Sequence, residues 1–272
     1  MDLKTGESGK LTSAGALDTS AFTLSADERS IHYFDGPSLF SSLISTQKPV
    51  EFYRVPQGAK LSGLDAGSDG AIYFLEHSAG KSRVMKVARP KTLPIAELPT
   101  SAEDLMARPR RPQVLYRSAE SLWLMNGDGA ANRKLPLAAG KLGDANWTPS
   151  GRTLIYLHIP DSPKELVTLR EFSPEDNTDK LIAKTSQFER VSANGDASVF
   201  AGASRSKAQA FVLLLLRATR RELTLCEHRA SDPSMVAPIF APDSQSVFFV
   251  TDRHGKMAIY RMQVDKFVSE TA

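Results

Sequence analysis

The sequence predicts an all-β protein of the β-propeller class, with about six four-stranded blades, and three observations carry the prediction. A turn-then-strand unit recurs. Aligned on the aromatics Tyr33, Tyr73, Tyr116, Tyr156, Phe200 and Phe249, its copies are spaced 40, 43, 40, 44 and 49 residues apart, a period that suits blades of four short strands. The runs after each turn are β-branched and aromatic, and no segment keeps a helical period over several turns. The 272 residues are 41% hydrophobic and 24% charged, enough for a packed core and too ordinary for disorder.

Each element follows from its residues. "LSADERSIHYF" (Leu24 to Phe34) and "GSDGAIYFL" (Gly67 to Leu75) place turn formers before an apolar run. Asp, Ser and Gly suit the turn because they tolerate left-handed backbone or bond their own main chain. Asp27, Asp69 and Asp243 are read as turn formers on this ground. "RPRRPQVLYR", "WTPSGRTLIYL", "SANGDASVFAG" and "FAPDSQSVFFV" repeat the unit. Second runs follow at "SRVMKV", "SLWLM", "ELVTL", "AFVLLLL" and "MAIYRM". "SAEDLMA" (Ser101 to Ala107) is at most one or two helical turns. The repeats fall near 14–58, 59–105, 106–144, 145–186, 187–231 and 232–264 of a single domain, 1–272. "DKFVSETA" after the last run is poor strand material. Residues 1–13 are therefore expected to contribute the closing outer strand, Gly9 to Ser13, beside Met257 to Val264, which would remove an open edge. The alternative is a piece of a larger ring, with Asp2 to Thr12 left over from a missing blade.

Composition narrows the function. The net charge is +3. The basic clusters "RPRR" and "RATRRE" read as solvated turns, so no nucleic acid is expected. One cysteine, Cys226, excludes an intramolecular disulfide and a cysteine-based metal site. The longest apolar run, "AFVLLLL", is too short to span a bilayer, so no membrane association is expected. "MDLKTGESGK" lacks an apolar signal core. The expectation is a cytoplasmic chain, or a periplasmic one if the natural start lies upstream. "SAGKS" lacks the first P-loop glycine and sits between strands. "GASRSKA" fails the Gly-x-Ser-x-Gly pattern of a nucleophile elbow.

The Phe-x-Pro-Asp-Ser pattern resembles propeller repeats of the TolB type. "DLKTGESGKLT", "RVPQG", "LWLMNGDGAANRKL", "NWTPSGRTLIYL" and "FAPDSQSVFFVTDRHGKMAIYRM" resemble, in the same order, segments of the oligogalacturonate lyase family. The resemblance covers nearly the whole chain. It implies a seven-bladed ring of which this chain lacks the first blade, and β-elimination on pectin fragments. It also implies a divalent metal such as manganese, held by histidines and a glutamine, with a nearby His and Arg for catalysis. A base must take the proton beside the uronate carboxylate, and a cation must stabilise the charge that develops.

Carried over by position, those groups are absent. Met235 and Ala237 stand where the resemblance implies a His-Pro-His pair, and Asp232 stands for the glutamine. Phe188 stands for the third metal histidine. Asp144 stands for the histidine before the Trp of the fourth repeat, and Ser121 for the arginine before the Trp of the third. His32, His77, His158, His228 and His254 fall at strand runs or outer turns without metal-ligand spacing. No catalytic residue, metal or cofactor is therefore assigned. Asp144 and Asp232 leave an oxygen-only cation site such as calcium open.

The candidate surface, from the entries of inner strands, is Asp144, Trp147, Phe188, Arg190, Asp232 and Met235. Trp147 suits stacking on a sugar ring, and Arg190 suits bidentate capture of a carboxylate. The expected function is a non-catalytic carbohydrate- or ligand-binding propeller whose partner is a uronate-containing oligosaccharide or a protein. The alternatives are an active oligogalacturonide lyase and a protein-interaction scaffold.

Overall fold

The computed structural model describes residues 9–88, 91–162, 164–185, 188–204 and 209–269. Residues 1–8 of the expected closing segment, 205–208 of "GASRSKA" and the last three residues lie outside the described ones.

The described chain is built from six antiparallel sheets, each formed by strands consecutive in sequence. Sheet one holds β1 (Leu17–Leu24), β2 (Ser30–Asp35), β3 (Ser38–Leu43) and β4 (Pro49–Arg54). Sheet two holds β5 (Lys60–Ala66), β6 (Ile72–Ser78), β7 (Lys81–Ala88) and β8 (Lys91–Leu98). Sheet three holds β9 (Leu105–Ala107), β10 (Gln113–Ser118), β11 (Ser121–Asn126) and β12 (Arg133–Lys134). These three form one compact unit, Met1–Leu135.

The second unit, Pro136–Ala272, holds the rest. Sheet four is β13 (Lys141–Trp147), β14 (Leu154–Ile159), β15 (Val167–Ser173) and β16 (Thr178–Thr185). Sheet five is β17 (Phe188–Ala193), β18 (Val199–Ser204), β19 (Phe211–Leu216) and β20 (Arg221–Glu227). Sheet six is β21 (Ile239–Phe240), β22 (Ser246–Thr251) and β23 (Ala258–Gln263), followed by the short helix α1 (Asp265–Ser269).

The second strand of each sheet is the most buried. All six residues of β18 are buried, as are the first five of β2 and of β6. A strand covered on both faces has no use for polar alternation, which is why these runs read as continuously apolar. Fourth strands such as β20 instead mix exposed and half-buried residues, with none fully buried in β20. The turn aspartates act as expected. Asp27, Asp69 and Asp243 each accept from the backbone N–H two residues on, at 3.2, 3.1 and 2.9 Å, the side-chain-to-backbone bond that favours Asp in turns.

One expectation is corrected. Residues 9–13 form no strand, and sheet six has three strands among the described residues. Thr12 bonds back to the Ala14 N–H, and Asp35 accepts from the N–H groups of Gly15 and Ala16. The entering chain is thus tied to β2 by polar groups rather than zipped along an edge. "SAEDLMA", bounded at one or two helical turns, holds none, and Leu105–Ala107 is strand β9. The Ala107 N–H is held by the Asp65 carboxylate on β5 at 2.9 Å, and Leu105 packs over Gly63. A tertiary hydrogen bond outweighs a weak local helical preference.

Candidate functional site

All six candidate residues lie in the second unit. Asp144 sits in a bulge of β13, where the register with β14 shifts between Leu142 and Ala145. The bulge turns its carboxylate onto β17. Oδ2 accepts from the Val191 N–H at 2.8 Å and from Asn146 Nδ2 at 3.2 Å, and Oδ1 lies 3.4 Å from Arg190 Nη1. Asn146 also donates to the Val191 carbonyl at 2.9 Å. Asp144 and Asn146 together hold both backbone groups of Val191. Their role is to latch sheet four to sheet five, as Asp65 latches β5 to β9 in the first unit.

Arg190 is drawn to the same latch but keeps 51% of its side chain exposed. Trp147 is not on that face. It follows Asn146 in regular register with β14, so alternation sends its half-buried indole to the other side of the strand. The structure therefore brings Arg190 to Asp144.

Phe188 is a core residue, 3% exposed, packed among Ile155, Leu157, Val191 and Phe200. Its ring lies over Gly202, where an added Cβ would come within 2.5 Å of it. Asp232 caps a 3-10 turn, Pro233–Met235, by accepting from the Ser234 N–H at 3.0 Å and its hydroxyl at 2.7 Å. That turn seats Val236 in the core and leaves Met235 54% exposed. Ser192 Oγ bonds the Pro238 carbonyl at 2.8 Å, tying the same segment to β17.

The histidines are held by structural bonds. His77 stands between Ser62 Oγ at 2.6 Å and Ser82 Oγ at 2.8 Å, and burial pushes its pKa down. His228 is fully buried, and its pKa is lowered for the same reason. Its Nδ1 accepts from the Ala230 N–H, so its Nε2 donates to the Ser204 carbonyl at 3.1 Å. His158 donates to the Ala139 carbonyl at 2.6 Å. The rings of His32 and His254 lie against Phe52 and Tyr260. Cys226 is half-buried on β20, where burial raises its thiol pKa, the opposite of what a nucleophile needs.

Sequence reasoning missed a cleft of about 360 Å³ between sheets four and five. Glu171 and Arg217 form its wall, paired at 2.6 and 3.1 Å, with Thr153 donating to Glu171 at 3.0 Å. Burial raises the Glu171 pKa, but the bonds from Arg217 outweigh it and hold the carboxylate below its ordinary range. The partners are 46 residues apart, and no local pattern announces them.

No family model matches the sequence, and no curated protein matches it. Solved structures do. An oligogalacturonate lyase in complex with manganese superposes with a TM-score of 0.86 at 20% identity, over 95% of this chain and 80% of that one. An oligogalacturonate lyase from Vibrio parahaemolyticus gives 0.83 at 21% identity, over 93% and 79%. The fold is an oligogalacturonate lyase-type β-propeller. TolB from Acinetobacter baumannii is a more distant likeness, with a TM-score of 0.55 at 12% identity over 90% of this chain and 60% of that one.

In this lyase-type propeller the residues at the implied metal positions do not fit a divalent ion. Phe188 has no donor atom and lies in the core. The thioether of Met235 is a soft ligand, unsuited to manganese. Asp144 already serves Val191, Asn146 and Arg190, and Asp232 serves Ser234. Among the described residues no group of three or more His, Cys, Asp or Glu could hold a metal ion.

Proposed function

We propose that this chain is a non-catalytic propeller that binds a uronate-containing oligosaccharide. One observation carries the reading. The positions where the lyase resemblance implies metal ligands and catalytic groups are used here to build the protein: Phe188 fills the core, Asp144 latches two sheets and Asp232 caps a turn. Elimination beside a uronate carboxylate needs a base and a stabilising cation in contact with the substrate, and these residues supply neither. Arg190 retains what recognition needs. Half of its side chain faces solvent, and its 3.4 Å approach to Asp144 leaves donors of the planar fork for a second carboxylate.

Two measurements test the reading. Calorimetric titration with trigalacturonate should show binding that Arg190→Ala weakens by about tenfold, the size of one charge-assisted contact. Incubation of an unsaturated digalacturonide with the protein and manganese should yield no keto-sugar. Product that scales with protein dose would replace this reading with an active lyase, the alternative that the likeness to the lyases favours. No binding of trigalacturonate would leave an interaction scaffold.

A related substitution asks whether the lost ligand can be restored. Phe188→His should lower stability by about 2–4 kcal/mol, because it removes apolar volume and buries an imidazole. Manganese should not raise its melting temperature. A metal-dependent rise would show that a site persists around Phe188.

A further inference from the structure

The third strands of sheets one, two and four each carry one side chain that faces the next sheet at the turn end. It stands opposite a defined residue of the second strand: Lys86 opposite Tyr73, Glu171 opposite Ile155, and Ser41 opposite His32. In two of the three cases it reaches across. Lys86 Nζ bonds the Gly127 carbonyl of sheet three at 3.0 Å, and Glu171 takes Arg217 of sheet five at 2.6 Å. The clefts beside these clasps measure about 460 and 360 Å³.

Ser41 is too short to cross. The groove it lines, between sheets one and two, opens to about 850 Å³, within the range of small-molecule sites. One wall carries the rings of His32 and Phe52, with centroids 6.4 Å apart and planes tilted by 36°. The other side presents the buried Ile72 and Val87. The exposed Val50 extends the apolar surface toward the mouth. The rim carries Arg29 and Lys48 against a single carboxylate, Asp27. That carboxylate is engaged within its own turn, by Ser25 Oγ at 2.6 Å and the Arg29 N–H at 3.2 Å.

We infer that this groove is a binding site for a small aromatic carboxylate. Its apolar body lies along the groove against Phe52 and the exposed Val50, over a floor of the buried His32, Ile72 and Val87. Its carboxylate sits at the rim between Arg29 and Lys48. The lining selects an apolar, preferably aromatic body, because Phe52 and Val50 offer a ring and a branched side chain that a hydrated sugar would cover poorly. The rim selects an anion, because two cations face one carboxylate already held by its turn. The site shares no residue with Arg190 and stands or falls independently of it.

The probe is 2-naphthoate, titrated calorimetrically into the full chain, with neutral 2-naphthylmethanol and trigalacturonate as comparators. The expected result is saturable binding of 2-naphthoate at one site, with the alcohol at least about tenfold weaker. Lys48→Glu, which reverses an exposed rim charge, should weaken 2-naphthoate by a similar factor. Val50→Trp, which fills the mouth from an exposed position, should also do so while the melting temperature stays near that of the parent. Failure of 2-naphthoate to bind at millimolar concentration would overturn the inference. So would binding that both variants leave unchanged, or equal affinity for the alcohol.

Discussion

Gly129→Ala should lower the free energy of unfolding by roughly 3 kcal/mol or more, the sum of a left-handed backbone penalty and overpacking against main chain. Gly129 closes the turn after β11, donating its N–H to the Asn126 carbonyl at 2.8 Å, with φ at +85°. A Cβ there would fall inside the van der Waals shell of the Ile95 carbonyl oxygen on β8. A backbone oxygen cannot rotate away as a side chain can, so sheet two or sheet three must shift. Gly255→Ala is the matched control. Its φ is +79°, but nothing lies within 4 Å of the added carbon, so its cost should be about 1 kcal/mol, the backbone penalty alone. Chemical denaturation of both variants checks the prediction. Equal losses would show that the contact with Ile95 contributes nothing.

Asp65→Ala should remove about 2–3 kcal/mol, because it leaves several donors of a buried latch without their acceptor. The Asp65 carboxylate accepts from the Ala107 N–H at 2.9 Å, the Ala66 N–H at 2.8 Å and Thr23 Oγ1 at 3.0 Å. It thereby joins sheets one, two and three of the first unit. Asp65→Asn keeps one acceptor oxygen but turns its amide nitrogen on either the Ala107 or the Ala66 N–H, so it should recover only part of this loss. The pair also has a distinctive pH signature. Burial raises the Asp65 pKa in the folded protein, against the lowering effect of its hydrogen bonds. Between the unfolded value, about 3.9, and the higher folded value, the folded state holds more protons. Stability therefore falls as pH rises through that window and levels off above it. The Asn variant has no such proton to lose. Measured against the parent, it should look worst at acid pH and improve toward neutrality. A parent–variant difference that does not change with pH would remove burial as the cause.

The turns and second strands were legible because their signals are local. A carboxylate bonding an N–H two residues on, or a β-branched run buried on both faces, is written in consecutive letters. The same holds for the order of sheets, since each is made from neighbouring strands. Strand β9 was not legible. Ser101 to Ala107 has helical composition, and what makes its end extended is Asp65, 42 residues upstream. The candidate site suffered in the same way. Asp144 looked like a ligand because its partner is a backbone N–H 47 residues on, and backbone groups carry no letter. The placement of Trp147 could have been anticipated: it directly follows Asn146, and adjacent strand residues take opposite faces. The clasp between Glu171 and Arg217, and the groove that opens where Ser41 replaces such a clasp, required the register of three strands before either could be seen.

Strand pairing confined to chain neighbours bears on how the protein is made. Among the described residues no ladder of backbone hydrogen bonds waits for a distant segment, so each sheet can zip as soon as its own few dozen residues have left the ribosome, and loop-closure entropy stays small for an all-β chain. The apolar packing between neighbouring sheets, with its latches and clasps, then remains to be set. A cut or an insertion between sheets would break none of the ladders, and a lineage can gain or shed a whole sheet at the cost of one set of side-chain contacts.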